Sequence, residues 1–148
     1  MDGTAAKERA LRLVQKHAVN PVVMFAHDLG FPPPGDALLE TIGRRTGLPR
    51  RTPVCDGLAG EVFWLVAQRG HRSDWVRNIR ANPRVRVKVR TASGIRWRTG
   101  TARVLEDDDP RERQRLIGEG GVARRLCAGA SAAAATDPLT VRVDLDAV

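Results

Sequence analysis

The chain has 148 residues, 42% of them apolar, enough to bury the core of one ordinary domain. It holds no run of 18 apolar residues, no G-x-y period, no sustained heptad and only two cysteines, which excludes a membrane-spanning helix, collagen, a coiled coil and a disulfide-rich scaffold. Lysine and arginine number 25 against 17 acids, a formal +8, and all but Lys7, Lys16 and Lys88 are arginine, so an anionic partner is expected: nucleic acid, a membrane surface or a phosphorylated ligand.

Met1 to Val14 carries Lys7, Glu8 and Arg9 and lacks the apolar core of a secretory signal, so the cytoplasm is the expected compartment. Residues 4–18 read as a helix with Ala10, Leu13, Val14, His17 and Ala18 on one face. Asn20-Pro21 opens a second helix, with Val22, Phe25, Ala26 and Leu29 as its apolar face and Gly30 ending it. Phe31 to Gly35 is a stiff proline connector. Residues 1–36 are therefore expected as a helical cap on a β-rich remainder, 37–148, the whole forming one structural domain.

Ala37 to Ile42 reads as a strand, Gly43 to Pro49 as turn residues, and Arg50 to Cys55 as the next strand, with a turn at Asp56-Gly57 before Glu61 to Ala67. Ser73 to Asn82 reads as a helix carrying Trp75, Val76 and Ile79 at helical spacing. Arg84 to Arg90 alternates valine with cations. Ser93-Gly94 turns the chain into Ile95 to Leu105, with a bulge expected at Gly100. Asp107-Asp108-Asp109-Pro110 starts a helix to about Ile117. The Gly- and Ala-rich stretch 118–137 fits a lid or a poorly packed helix, and Leu139 to Leu145 alternates again. Short turns between about six strands point to an antiparallel barrel rather than βαβ units.

Triad, P-loop and dinucleotide motifs are missing. Cys55 and Cys127 share no metal-ligand spacing with each other or with His17, His27 and His71, so no metal is expected and the cysteines read as free buried thiols. Two anion-ready turns remain. Gly43 to Pro53 places Arg44, Arg45, Arg50 and Arg51 on a Gly-flanked hairpin, where backbone N–H groups can join the side chains. Its plain alternative is a solvated basic hairpin. Ala67 to Trp75 runs from a strand end through a glycine turn into a helix N-terminus, which offers donors to a phosphate. Its plain alternative is an ordinary β–α connection.

Leu39 to Arg50, then Val66 to Gly70, then Trp75 to Pro83, resemble in order and spacing the deazaflavin-dependent nitroreductases, actinobacterial oxidoreductases that use coenzyme F-420. The likeness spans roughly residues 37–105, with a matching last strand at 139–145. It implies a split β-barrel related to flavin reductases, mainly β with flanking helices. It implies that Arg45 and Arg50 grip the cofactor phosphate, with Thr52 and Pro53 near the deazaflavin ring. Ala67, Gln68, Arg69 and Gly70 would contact the ring edge and phosphate, and Trp75, Asn78 and Arg80 would flank the ribityl and tail region. The activity implied is hydride transfer from the C5 carbon of the reduced deazaflavin to a small activated acceptor such as a quinone, enone or nitroaromatic.

The chain departs from the family pattern in its substrate pocket. Tyrosines are found there in the best-known members and this chain has none; Gln68 stands where they carry serine. Gln68 can donate a hydrogen bond near the ring but is not an acid, so no catalytic residue is assigned and solvent is the expected proton source. The row Arg84, Arg86, Lys88 and Arg90 fits either a site for the polyglutamate tail or a solvated strand face. FMN in place of F-420, cofactor binding without turnover, a homodimer and peripheral membrane contact stay open. A basic nucleic-acid-binding barrel is the reading from another class, and it lacks an aromatic stacking platform, so no nucleic-acid partner is expected.

Overall fold

The computed structural model describes residues 3–14, 20–28 and 33–147. Seven strands form one antiparallel sheet: β1 (Asp36–Ile42), β2 (Pro49–Cys55), β3 (Leu58–Ala59), β4 (Val62–Ala67), β5 (Arg84–Thr91), β6 (Gly94–Leu105) and β7 (Leu139–Leu145). Their lateral order is β2-β1-β5-β6-β7-β4-β3. Strands β2 and β3 are the two edges, yet only Asp56 and Gly57 separate them in the chain, so the sheet must curl back on itself. Trp64 N donates to Gly57 O at 3.0 Å where the ends meet. The result is the expected split half-barrel, with β3 as the additional strand.

The alternation seen in the sequence sorts the two faces. Val85, Val87 and Val89 of β5 are buried, as are Val141, Val143 and Leu145 of β7. They pack with Ala37 and Leu39 of β1 and Phe63, Leu65 and Ala67 of β4 in one core. Helix α3 (Asp74–Ala81) adds Val76 and Ile79 to it, three residues apart on one helical face. Gly100 makes no bulge, because β6 stays in register with both β5 and β7. A side chain there would meet Asp144 O at 2.6 Å, so close approach of β7 accounts for the glycine.

The remaining helices are α1 (Gly3–Val14), α2 (Asn20–Asp28), α4 (Pro110–Gly118) and α5 (Val122–Ala134). Asp109 caps α4, accepting from Arg111 N and Glu112 N at 3.0 and 3.3 Å, with Pro110 at its first position. Asp108 instead turns inward to Arg113 and Thr140. The 118–137 stretch contains a true helix, α5. The apolar stripe expected on the first helix, and Leu29 and Gly30, lie outside the residues whose side chains are described. On α2 the expected face is corrected: Val22 and Phe25 are 70% and 64% exposed, and the helix buries His27 against the sheet instead. The cysteines are not free: Cys55 and Cys127 form a disulfide, with Cα atoms 5.8 Å apart. Folding brings the end of β2 against α5, and no local sequence pattern encodes that meeting.

Candidate functional site

The β1–β2 hairpin closes with Gly43 N donating to Leu48 O and Gly47 N to Gly43 O, both at 2.8 Å. Its four arginines then separate into two kinds. Arg44 is spent on α3: its backbone N and Nη1 donate to Asn78 Oδ1 at 3.2 and 2.9 Å, and Nη2 meets Asp74 Oδ1 at 3.4 Å. Arg51 Nε donates to Glu40 Oε2 at 3.0 Å, on the outer face of the sheet. The side chains of Arg45 and Arg50 are exposed and make no hydrogen bond or ion pair among the described residues. Thr52 and Pro53 follow on β2, half-buried and paired with Leu39 and Leu38 of β1. Strand β2 is a sheet edge, so its outer backbone groups have no partner strand, and Pro53 is tolerated there.

The hairpin is tied to α3, the helix that follows the second turn. Asn78, 4% exposed, holds Arg44 through Oδ1 and donates from Nδ2 to Thr41 Oγ1 at 3.1 Å, pinning the hairpin to α3. Ala67 ends β4 in the core. Gln68 follows: its backbone O accepts from Thr136 N and Asp137 N, both at 3.0 Å, and its Nε2 donates to Ser131 Oγ of α5 at 3.0 Å. Gly70 has φ +57° and presses so closely on Asp137 O, 2.5 Å from where a Cβ would stand, that only glycine fits. A 3-10 turn, Gly70–Arg72, leads to Ser73, which stands at the N-cap of α3 without making a side-chain cap bond.

Several residues expected at the cofactor are engaged with protein instead. Arg69 Nε lies 3.9 Å from Glu8 Oε2, and Arg72 pairs with the other oxygen of that carboxylate, which also accepts from Thr136 Oγ1 at 2.6 Å. Lys7 Nζ donates to Ala133 O at 3.0 Å, so α1 docks where β4, α5 and the glycine turn converge. Glu8 had no signal in the sequence beyond being an acid among basic residues. Arg80 bonds His71 Nδ1 at 2.8 Å and Glu106 Oε1 at 3.1 Å, and Trp75 packs against the core. The structure thus joins the hairpin to α3 through Arg44 and Asn78, while Arg80 pairs with His71 and Glu106.

The basic row of β5 is also engaged. Arg84 Nη1 donates to Asp146 Oδ1 at 3.1 Å, and Arg86 grips both oxygens of Glu40 at 2.8 and 3.0 Å. Lys88 Nζ donates to His27 O at 3.3 Å. Arg51, Arg86 and Lys88 surround the Trp97 ring at 5.0, 4.6 and 5.9 Å. The hydrogen bond from Arg86, joined by Arg51, holds the Glu40 carboxyl below its usual range. At the β3–β4 end of the sheet, a cleft of about 140 Å³ is lined by Leu58, Trp64, Leu116, Ile117, Arg113 and Arg124. Its arginines are paired with Asp108 and Asp56, and none of the expected site residues reaches it. No group of three or more metal-ligating side chains occurs among the described residues.

An antiparallel half-barrel with flanking helices, open at a glycine-flanked basic hairpin, is a split-barrel fold. The chain belongs to the F420H(2)-dependent quinone reductase family, whose model matches residues 15–146. An F420-H2-dependent reductase structure (FDR-A) aligns with a TM-score of 0.54 at 22% identity, over 76% of this chain and 94% of that one. A protein described as a domain-swapped dimer aligns with a TM-score of 0.54 at 19% identity, over 93% of this chain and 99% of that one. The heme storage protein HutZ from Vibrio cholerae aligns with a TM-score of 0.52 at 16% identity, over 87% and 90% of the two chains. No curated protein is a significant sequence match.

Proposed function

We propose that the chain is a coenzyme F-420-dependent oxidoreductase acting on a quinone, enone or nitroaromatic acceptor. One observation carries the reading. Of the four hairpin arginines, the two implied to grip phosphate, Arg45 and Arg50, are the two whose side chains have no protein partner among the described residues, whereas Arg44 and Arg51 are taken up internally. An exposed guanidinium pair on a glycine turn fits a phosphate, which each can grip through two parallel hydrogen bonds. When bound, the reduced deazaflavin supplies a hydride from its C5 carbon.

The chain's own part is placement. Arg45 and Arg50 hold the anionic end, and the edge of β2 at Thr52 and Pro53 offers a flat wall to the ring. Gln68, fixed by Ser131, orients the opposite edge of the site. Asn78 acts one step removed, by holding Arg44 and hence the hairpin. No side chain of this set is an acid placed to protonate the product, which leaves that proton to solvent. Pairing of two chains belongs to the same reading, and sedimentation at micromolar concentration tests it.

Equilibrium titration with F-420 and with FMN in parallel, followed by turnover of a test quinone, checks the proposal. F-420 should bind at least tenfold tighter than FMN and support reduction. Tight binding without turnover would make the protein a carrier, and tighter FMN would displace the deazaflavin reading.

A further inference from the structure

The disulfide is the one covalent tie between the edge of β2 and helix α5, which otherwise packs mainly on α4. Only Ala128 of α5 is buried, while Val122 and Leu126 are 69% and 70% exposed. The helix has no side-chain cap at its N-terminus, and most of its remaining residues are alanine, glycine or serine. Apolar burial therefore contributes little to its docking. Beyond its packing on α4, its ties are polar: Arg124 to Asp56 and to Leu58 O, Gln114 Nε2 to Ala128 O, Gln68 to Ser131, and Lys7 to Ala133 O. Both cysteines are partly exposed. Asp36, opposite Cys55 across the β1–β2 ladder, places Oδ1 3.4 Å from Cys127 Sγ.

We propose that Cys55–Cys127 is a site of reversible reduction by a dithiol, and that its opening frees α5 from β2. A thiolate of the dithiol attacks Cys55 Sγ, the bond to Cys127 breaks, and Cys127 leaves with the electron pair and takes up a proton. The second thiol of the reductant then displaces Cys55 and closes the reductant into a disulfide, so two electrons and two protons pass to the cysteine pair. Asp36 bears on both steps: ionised, it repels the incoming thiolate; protonated, it can hand its proton to the departing sulfur. Burial pushes its carboxyl up to about 6, so both forms are populated near neutrality. One consequence rests on the cofactor reading: the disulfide joins the strand carrying Arg50, Thr52 and Pro53 to the helix that fixes Gln68, so its state sets the separation of the two walls.

Hydrogen exchange on the full chain, oxidised and after native treatment with dithiothreitol, tests the proposal, with thiols counted by N-ethylmaleimide and mass. Reduction should add two maleimides per chain and speed exchange of the α5 amides at least tenfold, leaving β5 and β6 unchanged. Cys127→Ser without reductant should reproduce the reduced pattern and no longer respond to dithiothreitol. Failure to label under native conditions, unchanged exchange in α5, or equal acceleration across β5 and β6 would overturn it. If the oxidised chain binds no F-420, the cofactor reading fails while this exchange comparison still stands.

Discussion

Two arginine-rich surfaces of this half-barrel carry cations at comparable density and use them in opposite ways. On the outer face of β5 and β6, Arg84 and Arg86 each meet a carboxylate, and Arg86 and Lys88 also border an indole. At the β1–β2 hairpin the neighbours Arg44 and Arg51 are likewise neutralised, but Arg45 and Arg50 between them are left to solvent. The formal +8 therefore does not mark an anion site by itself. What marks one is a cation whose local partners have been assigned elsewhere, so that a ligand need displace only water.

The largest expected effect tests that contrast directly. A charge-assisted bond to phosphate contributes about 1.5–3 kcal/mol, so Arg45→Ala or Arg50→Ala should weaken F-420 roughly tenfold or more, and the double variant about a hundredfold. Arg→Lys at either position should recover only part, because an ammonium cannot supply the paired bonds. Arg86→Ala changes the net charge equally and should shift affinity less than about threefold, since its guanidinium already serves Glu40. Calorimetry at two salt concentrations decides: equal losses at all three sites, abolished by salt, would reduce the hairpin to part of a diffuse field.

The next effect falls on stability and approaches the contrast from the other side. Glu40 is 5% exposed and is the shared carboxylate of Arg51 and Arg86. Glu40→Gln leaves two guanidinium groups without their counter-charge and should cost about 1–3 kcal/mol at pH 7. Because its carboxyl is held below the usual range, this contribution is present above the unfolded-state value of 4.5 and is lost as pH falls through the lower folded value. Urea titrations should show the gap between wild type and Glu40→Gln closing as the pH approaches 3. A gap that persists in acid would mean that shape, not charge, explains the residue. F-420 affinity should stay within about threefold throughout.

Alternation over Arg84–Thr91 and Leu139–Leu145 reveals strands because each valine faces the same core, and Asp109-Pro110 reveals a helix start because capping is local. Features set by distant partners escape a linear reading. Strand β3 is two residues long and exists only because Leu58 and Ala59 pair with Phe63 and Val62. Gly100 reads as a bulge in the sequence, and only the neighbouring β7 backbone reveals a close approach instead. The disulfide joins residues 72 apart without a motif, and Val22 and Phe25 show helical spacing without facing the core. At the candidate site the hairpin and the Gln68 turn were legible as anion-ready segments. The division of labour among four arginines was not, since Glu40, Asp74 and Asn78 act on them across the fold.

The smallest effect concerns the third cation of the outer row and the helix over it. Lys88 reaches the carbonyl of His27, whose ring is 1% exposed and has neither nitrogen hydrogen-bonded among the described residues. Burial first, then the charge of Lys88, opposed by Asp28 and joined last by Arg90, lower its pKa, so the native ring is neutral at pH 7. As pH falls below about 6.5 the unfolded chain takes up a proton that native His27 refuses, and stability declines by at most about 1.4 kcal/mol per pH unit. Asp36 acts in the opposite sense: its pKa is raised to about 6, so its stabilising protonated form fills as the pH drops toward its unfolded-state value of 3.8. The two terms overlap between pH 6.5 and 5 and partly cancel in the wild type. His27→Phe should therefore gain stability relative to wild type at pH 5.5 compared with pH 7.5, whereas Asp36→Asn should lose it, each by about 1 kcal/mol or less. Urea midpoints at the two pH values measure both, and shifts of the same sign in the two variants would contradict the assignment of a neutral histidine beneath α2.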